Sequence, residues 1–132
     1  MKVNITAGEC LNRILEARQP GECFIPFNEA MNHGTYSAPL FSKEFVRERA
    51  VSHGVSEAEY LKKLSGFLGV LQHIGEYDEI VLWFGDEPFC AANRQTVLDA
   101  LRWHGCSRSI LLNIVNEENG DIIRQETVTI DI

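Results

Sequence analysis

An α/β fold with a mainly parallel sheet is predicted by three features of the sequence. The runs Ile80 to Phe84 and Ser109 to Val115 are apolar at almost every position, as strands covered on both faces are. Stretches with apolar residues at i, i+3 and i+4 precede and separate them. The resulting order, strand-helix-strand, helix pair, strand-helix-strand, requires right-handed crossovers that put helices on both faces of the sheet.

The elements follow in order. Lys2 to Thr6 alternates, with Val3 and Ile5 apolar, and reads as the first strand. Leu11, Ile14 and Leu15 then form a helical stripe, and Thr6 with Glu9 fits a T-x-x-E capping box. Pro20-Gly21 ends that helix and leads into a second strand, Glu22 to Ile25. Pro26 to Ser37 has no period and is rich in small and polar residues, so it reads as a loop longer than a plain connection needs. A helix is expected from about Ser42 to His53, broken by Gly54. A second capping box, Ser56-x-x-Glu59, opens the next, with Tyr60, Leu61, Leu64, Phe67, Leu68 and Leu71 on one stripe.

Glu76 to Glu79 is an acidic turn before the central strand. Gly85-Asp86-Glu87-Pro88 starts a further helix whose Val97, Leu98 and Leu101 face the core, and Gly105 stops it. Asn116 to Gly120 is a turn, and Asp121 to Ile123 and Thr127 to Ile130 offer one or two edge strands. The expectation is one domain over 1–132, a small three-layer Rossmann-like (flavodoxin-like) sandwich, with antiparallel edge strands over about 116–132.

Composition sets outer limits. A chain of 132 residues with 45% hydrophobic and 23% charged side chains is long enough for one buried core and far from the disordered regime. The longest unbroken aliphatic-aromatic run, Ile80 to Phe84, cannot span a bilayer, and Met1 to Thr6 has no apolar signal region. A soluble, cytoplasmic protein without membrane association is therefore expected. The net charge of −7 argues against nonspecific binding to nucleic acid. That charge is local: Glu76 to Glu87 holds five acidic and no basic residues, and Glu117 to Ile132 five acidic and one basic. The rest of the chain is net positive. Cys10, Cys23, Cys90 and Cys106 form no CxxC pair, so reduced thiols are expected, with Cys10 and Cys23 behaving as small buried hydrophobes.

In a sheet of this kind ligands bind beyond the carboxyl ends of the strands. The turns arriving there are Ala7-Gly8-Glu9, Phe27-Asn28-Glu29, Gly85-Asp86-Glu87 and Val115-Asn116. If Glu9, Glu29 and Asp86 or Glu87 converge, they could hold Mg2+ through oxygen ligands or act as acid and base. The bland alternative makes Glu9 a capping-box residue and Asp86 the cap before Pro88. A lone Gly8 followed by Glu9 is not a phosphate loop, and no lysine follows it. Lys43, Arg47 and Arg49 share a helix with Glu44 and Glu48. Much of this is surface pairing, although one arginine folding back could clamp an anion. His33, in the long loop, is a candidate proton shuttle or simply solvated. His53, His73 and His104 read as helix-end caps.

Several short motifs resemble an uncharacterised bacterial family catalogued as domain of unknown function 1835, over about 3–115. Val3-Asn4-Ile5-Thr6-Ala7-Gly8-Glu9 is similar to the family's opening strand and Gly-Asp turn, with Glu9 in place of the aspartate. Glu29-Ala30-Met31-Asn32-His33-Gly34 resembles its Glu-x-Leu-x-x-Gly-Pro segment, with Thr35 where proline is typical. Arg49-Ala50 and Tyr60 fall where the family carries similar residues. Leu82-Trp83-Phe84 and Phe89-Cys90-Ala91-Ala92-Asn93 are similar to its Leu-Trp-Phe strand and Cys-Gln-x-Asn helix start, with Ala91 in place of glutamine. The resemblance implies a Rossmann-like fold and no established activity. It raises Glu9, Glu29, Arg49, Glu87 and Asn93 as site candidates.

The leading expectation is a cleft lined by Gly8, Glu9, Glu29, His33, Arg49, Glu87 and Asn93 that binds a small polar or phosphorylated ligand, with Mg2+ as a candidate cofactor. The competing expectation is a non-catalytic interaction or regulatory module, such as a homodimer.

Overall fold

In the computed structural model, which describes residues 1–106 and 109–130, the chain runs through β1 (Lys2–Thr6), α1 (Glu9–Arg18) and β2 (Phe24–Pro26). It continues through α2 (Lys43–His53), α3 (Glu57–Gln72), a 3-10 turn (Ile74–Glu76), β3 (Glu79–Gly85), α4 (Pro88–Trp103), β4 (Ser109–Val115) and β5 (Ile122–Thr129). The sheet order is β2-β1-β3-β4-β5, with the first four strands parallel and β5 antiparallel to β4. The α/β sandwich and its antiparallel edge are as expected. The last two positions of the predicted edge region, 131 and 132, lie outside the described residues.

The chain steps from β1 outward to β2, then returns across β1 to β3. With right-handed crossovers that reversal puts α1 on one face and α2, α3 and α4 on the other. The core divides accordingly. Leu11 and Leu15 of α1 pack with Phe24, Val81, Trp83 and Val115. On the other face Phe45, Leu64, Phe67, Val97 and Leu101 pack on Val3, Ile5, Ile80, Leu82, Phe84, Ile110 and Ile114. Central position explains the continuous apolar run of β3, whose alternate side chains are claimed by opposite helical layers.

Helix boundaries follow local chemistry in two cases. Ser42 caps α2 by accepting from the Phe45 amide, and Gly54 closes it in the left-handed conformation at φ 65°. Ser56 caps α3 by accepting from the Glu59 amide at 3.1 Å, while its hydroxyl donates to Glu59 Oε1 at 3.2 Å.

Two expected caps are absent, for the same reason: the chain needed those residues elsewhere. Thr6 is the last residue of β1, and α1 starts with Glu9 after Gly8, so Thr6 stands too far back to cap it. Its hydroxyl instead donates to Asn12 Oδ1 at 2.8 Å. Asp86 is not the residue that precedes α4. Glu87 is, without a side-chain cap bond, and Asp86 pairs with Arg124 of β5 at 2.8 Å. The four cysteines are free, but the expected burial of Cys10 and Cys23 does not hold: both are exposed, and Cys90 and Cys106 are the buried pair. Cys10 falls on the outer face of α1, away from the Leu11–Leu15 stripe, and Cys23 precedes the edge strand β2. Of the one or two edge strands expected at the C-terminal end, the structure has one, β5.

The loop after β2 is pinned at several points. Glu48 of α2 accepts from the Ser37 and Ala38 amides and the Ser37 hydroxyl, each at 3.0 Å. Phe41 holds a positive φ of 61°, unusual for a bulky residue, and packs edge-on against Phe45 and Phe67. At Gly34, φ 76°, a Cβ would lie only 2.6 Å from Ser52 Cβ, so the loop approaches α2 where only glycine fits.

Candidate functional site

The carboxyl ends of β1 and β2 open into a cleft of about 650 Å³ lined by Ala7, Gly8 and Glu9, by Phe27 to Ala30, and by His53, Val55, Tyr60 and Lys63. Each part arrives by a separate logic. Gly8 and Glu9 are the turn from β1 into α1, and Phe27 to Ala30 leave β2, held in step when the Phe27 amide donates to the Thr6 carbonyl at 2.9 Å. His53 ends α2, and Tyr60 lies on the buried stripe of α3.

Glu29 is the hub. Its side chain is completely buried, and both oxygens are fully engaged. Oε2 accepts from Arg49 Nε at 2.9 Å and from the Tyr60 hydroxyl at 2.5 Å. Oε1 accepts from Arg49 Nη2 at 3.0 Å, from the Ala30 amide at 2.8 Å and lies 2.5 Å from His53 Nε2. Arg49 is itself fully buried, and its Nη2 also donates to the Ala30 carbonyl at 3.0 Å. Burial alone would raise the Glu29 pKa. Hydrogen bonds from Arg49, Tyr60 and the Ala30 amide, together with the Arg49 charge, outweigh it and hold the group down at about 2. Hydrogen bonding to Glu29 raises the Arg49 pKa against the opposing effect of burial, so the pair stays ionised. Burial and then the Glu29 hydrogen bond raise the Tyr60 pKa, so its hydroxyl stays protonated and donates.

Around this hub the neighbours hold geometry. Asn93 of α4 donates from Nδ2 to the Glu29 carbonyl at 2.6 Å and accepts from the Met31 amide at 2.7 Å, fastening the chain on both sides of Ala30. His53 stacks with Tyr60 at 6.3 Å between centroids and with His33 at 5.4 Å. At the cleft mouth Asn28 donates to Glu9 Oε2 and to the Lys63 carbonyl, both at 3.3 Å.

Measured against the sequence expectations, Gly8, Glu9 and Glu29 line the cleft. Arg49 and Asn93 sit behind Glu29, and His33 flanks His53 while its Nε2 lies 3.3 Å from the Ser52 carbonyl. Glu87 is exposed before α4 and is not part of the lining, because α4 leads away from β1 toward β4. Arg49 is not an open anion clamp: its fork is spent on Glu29. Glu9, Glu29 and Asp86 do not form the suggested Mg2+ site. Asp86 is turned to Arg124, Glu29 is saturated by donors, and no three His, Cys, Asp or Glu residues gather into a metal-holding group among the described residues.

His53, Tyr60 and Lys63 are site residues that sequence reasoning missed, and Asn28 reads only as part of a strand-end turn. His53 reads as a helix cap because it precedes Gly54, yet it stands four residues after Arg49 and therefore on the same face of α2. Tyr60 reads as core because it lies on an apolar stripe, although a buried phenol needs a polar partner. The other two histidines read as caps both hold the C-cap position of their helix. At the end of α4 His104 Nδ1 lies 2.9 Å from the Ala100 carbonyl. At the end of α3 the His73 amide donates to the Gly69 and Val70 carbonyls, while its ring pairs with Glu76 at 2.8 Å. Among the described residues no helix is long and apolar enough to cross a membrane. Compared with known proteins, the chain matches no family model, no curated protein and no solved structure.

Proposed function

We propose that this domain binds a small polar ligand in the cleft at the carboxyl ends of β1 and β2. The observation that carries the reading is convergence: residues from two strand ends, the end of α2 and the first turns of α3 present Glu9, Asn28, His53, Tyr60 and Lys63 to one cavity. A few polar groups around a concave, partly apolar surface of this size suit a metabolite-sized molecule. With Arg49 committed to Glu29, an anionic or phosphorylated ligand would meet Lys63 as its cation, opposed by Glu9. The same reading takes the chain as a diverged member of the family catalogued as domain of unknown function 1835. In its support, three residues of the resembling motifs, Glu29, Arg49 and Tyr60, meet in one network.

The test is a thermal-shift screen of nucleotides, sugar phosphates and hydroxy acids, with and without Mg2+. A bound ligand raises the melting temperature by mass action, by about 2.7 kcal/mol of stabilisation at a hundred times its Kd. At least one compound class is expected to do so, and Asn28→Ala with Lys63→Ala should remove the shift while leaving the unliganded melting temperature close to its original value. No shift with any class, or a shift that survives both substitutions, would end this reading.

One observation favours an interaction module instead. The edge strand β5 is exposed along nearly its whole length, with Ile122 and Ile123 about half exposed. An open edge with apolar side chains can pair with another strand. Light scattering across a concentration series separates a monomer from a dimer, and Ile123→Lys should abolish any dimer formed through this edge.

A further inference from the structure

The hydrogen-bond network around Glu29 fixes the tautomer of one cleft residue, His53, and a chemical role for that residue rests on the ligand-binding reading. Glu29 is a carboxylate and can only accept, so the nitrogen 2.5 Å from its Oε1 must carry a proton. Arg49 Nη2 is also 3.1 Å from that nitrogen, but a guanidinium only donates, and its two Nη2 hydrogens are directed to Glu29 Oε1 and the Ala30 carbonyl. The neutral histidine is therefore the Nε2–H tautomer, and its basic lone pair is on Nδ1. Among the described residues nothing hydrogen-bonds to Nδ1. The side chain is about a quarter exposed and lines the cleft, and the ring stacks with Tyr60 and His33.

A carboxylate that orients one imidazole nitrogen and leaves the other uncommitted is the arrangement used to move protons. We propose that His53 is the acid–base residue of the cleft: its Nδ1 takes a proton from a hydroxyl of the bound ligand and returns it, and Glu29 is its positioning residue. In the forward step the ligand O–H bond breaks, the electron pair stays on oxygen, and the proton joins Nδ1. The resulting imidazolium keeps its Nε2–H bond to Glu29, whose negative charge lies next to it. The other charged or titratable groups facing His53 are Arg49, Tyr60 and His33, with Glu9 and Lys63 across the cleft. The ligand class this implies is a polyol or hydroxy acid, a molecule with an alcohol that loses its proton during reaction.

Two measurements on the unaltered chain decide the matter. In 15N-histidine-labelled protein, with His53 assigned through its backbone, long-range 1H–15N spectra should show a protonated Nε2 and an unprotonated Nδ1 in the neutral state. An Nδ1–H tautomer overturns the proposal. Diethyl pyrocarbonate reads access to the lone pair: Nδ1 attacks one carbonyl carbon, ethyl carbonate leaves, and the Nε2 proton passes to solvent. Peptide mass spectrometry should find His53 modified at a rate comparable to exposed His73. An unmodified His53 beside a modified His73 likewise overturns the proposal.

The role of Glu29 is read from the tautomer. In the Glu29→Gln/Arg49→Met double variant, where an amide can either donate or accept, a measurable Nδ1–H fraction should arise at His53. A single unchanged tautomer there removes Glu29 as the positioning residue. These outcomes are separable from failure of the ligand-binding reading: the tautomer and reactivity are measured without ligand, whereas the thermal-shift screen does not depend on which nitrogen is basic.

Discussion

Two buried polar networks lie on opposite sides of the sheet and are built from opposite chemistry. Under α1 the network is neutral apart from Glu16 at the surface, whose carboxylate accepts from Asn12 Nδ2 at 3.2 Å. Trp83 Nε1 donates to Asn4 Oδ1 at 2.9 Å, Asn4 Nδ2 to the Cys23 carbonyl at 3.0 Å, and Thr6 to Asn12, whose Nδ2 reaches the Phe24 carbonyl at 3.4 Å. These bonds tie the short edge strand β2 and the helix α1 to the sheet, and none of them borders the cleft. Beneath α2 and α3 the network is ionic, and it has capacity left over. Arg49 Nη1 is the one buried side-chain nitrogen or oxygen without a hydrogen-bond partner among the described residues, and His53 Nδ1 borders the cleft. A closed network specifies structure. One with an unspent nitrogen on a cleft residue, as at His53, points to function, because polar groups inside proteins are ordinarily satisfied.

The contrast can be broken most severely at Arg49. Arg49→Met leaves the Glu29 carboxylate buried without its counter-ion, which should cost about 3–5 kcal/mol in urea unfolding. The Glu29→Gln/Arg49→Met double variant should recover much of that loss, since removing both charges removes the uncompensated one. A double variant no more stable than Arg49→Met would mean that the ion pair is not the origin of the cost.

Acid should separate the two networks next. The folded pKa of Glu29, about 2, lies below its unfolded value, so its stabilisation is complete above the unfolded pKa and drains away as pH falls toward 2. Between about pH 5 and pH 2 the chain should lose on the order of 3 kcal/mol more stability than the Glu29→Gln/Arg49→Met variant. Equal pH slopes for the two proteins would refute the linkage.

The neutral network gives the smallest effect. Asn12→Ala strips Thr6 of its acceptor and Phe24 of a donor and should cost about 1–3 kcal/mol. In a Glu16→Gln background that loss should be the same at pH 4 and pH 7, because Asn4, Thr6, Asn12 and Trp83 carry no titrating group. A loss that grows in acid would show that the two networks are coupled.

Much of the fold is legible in the chain itself. The bounds of β1 and β4, the α2 cap at Ser42 and stop at Gly54, and the α3 cap at Ser56 follow from local patterns that need no tertiary partner. The caps at Thr6 and Asp86 do not, because those residues were claimed by Asn12 and Arg124, six and thirty-eight positions away. For the site, composition of the strand-end turns reveals Gly8, Glu9 and Glu29. The family resemblance adds Arg49 and Asn93, but it cannot assign a direction to either side chain. Arg49 reads equally well as a surface partner of its helix neighbours, and Asn93 as one polar residue among several on α4.

Periodicity and turn chemistry by themselves determined the layers, the parallel sheet and the edge at which the cleft opens, since burial of an apolar stripe depends only on spacing. Tertiary structure decided which charges meet. Glu29, Arg49, His53 and Tyr60 span 31 positions, and they converge because the loop after β2 folds back over the corner between α2 and α3. Whether such a group is an exposed pair, a buried hub or a cleft base depends on desolvation and angle. Those quantities exist only once the layers have packed.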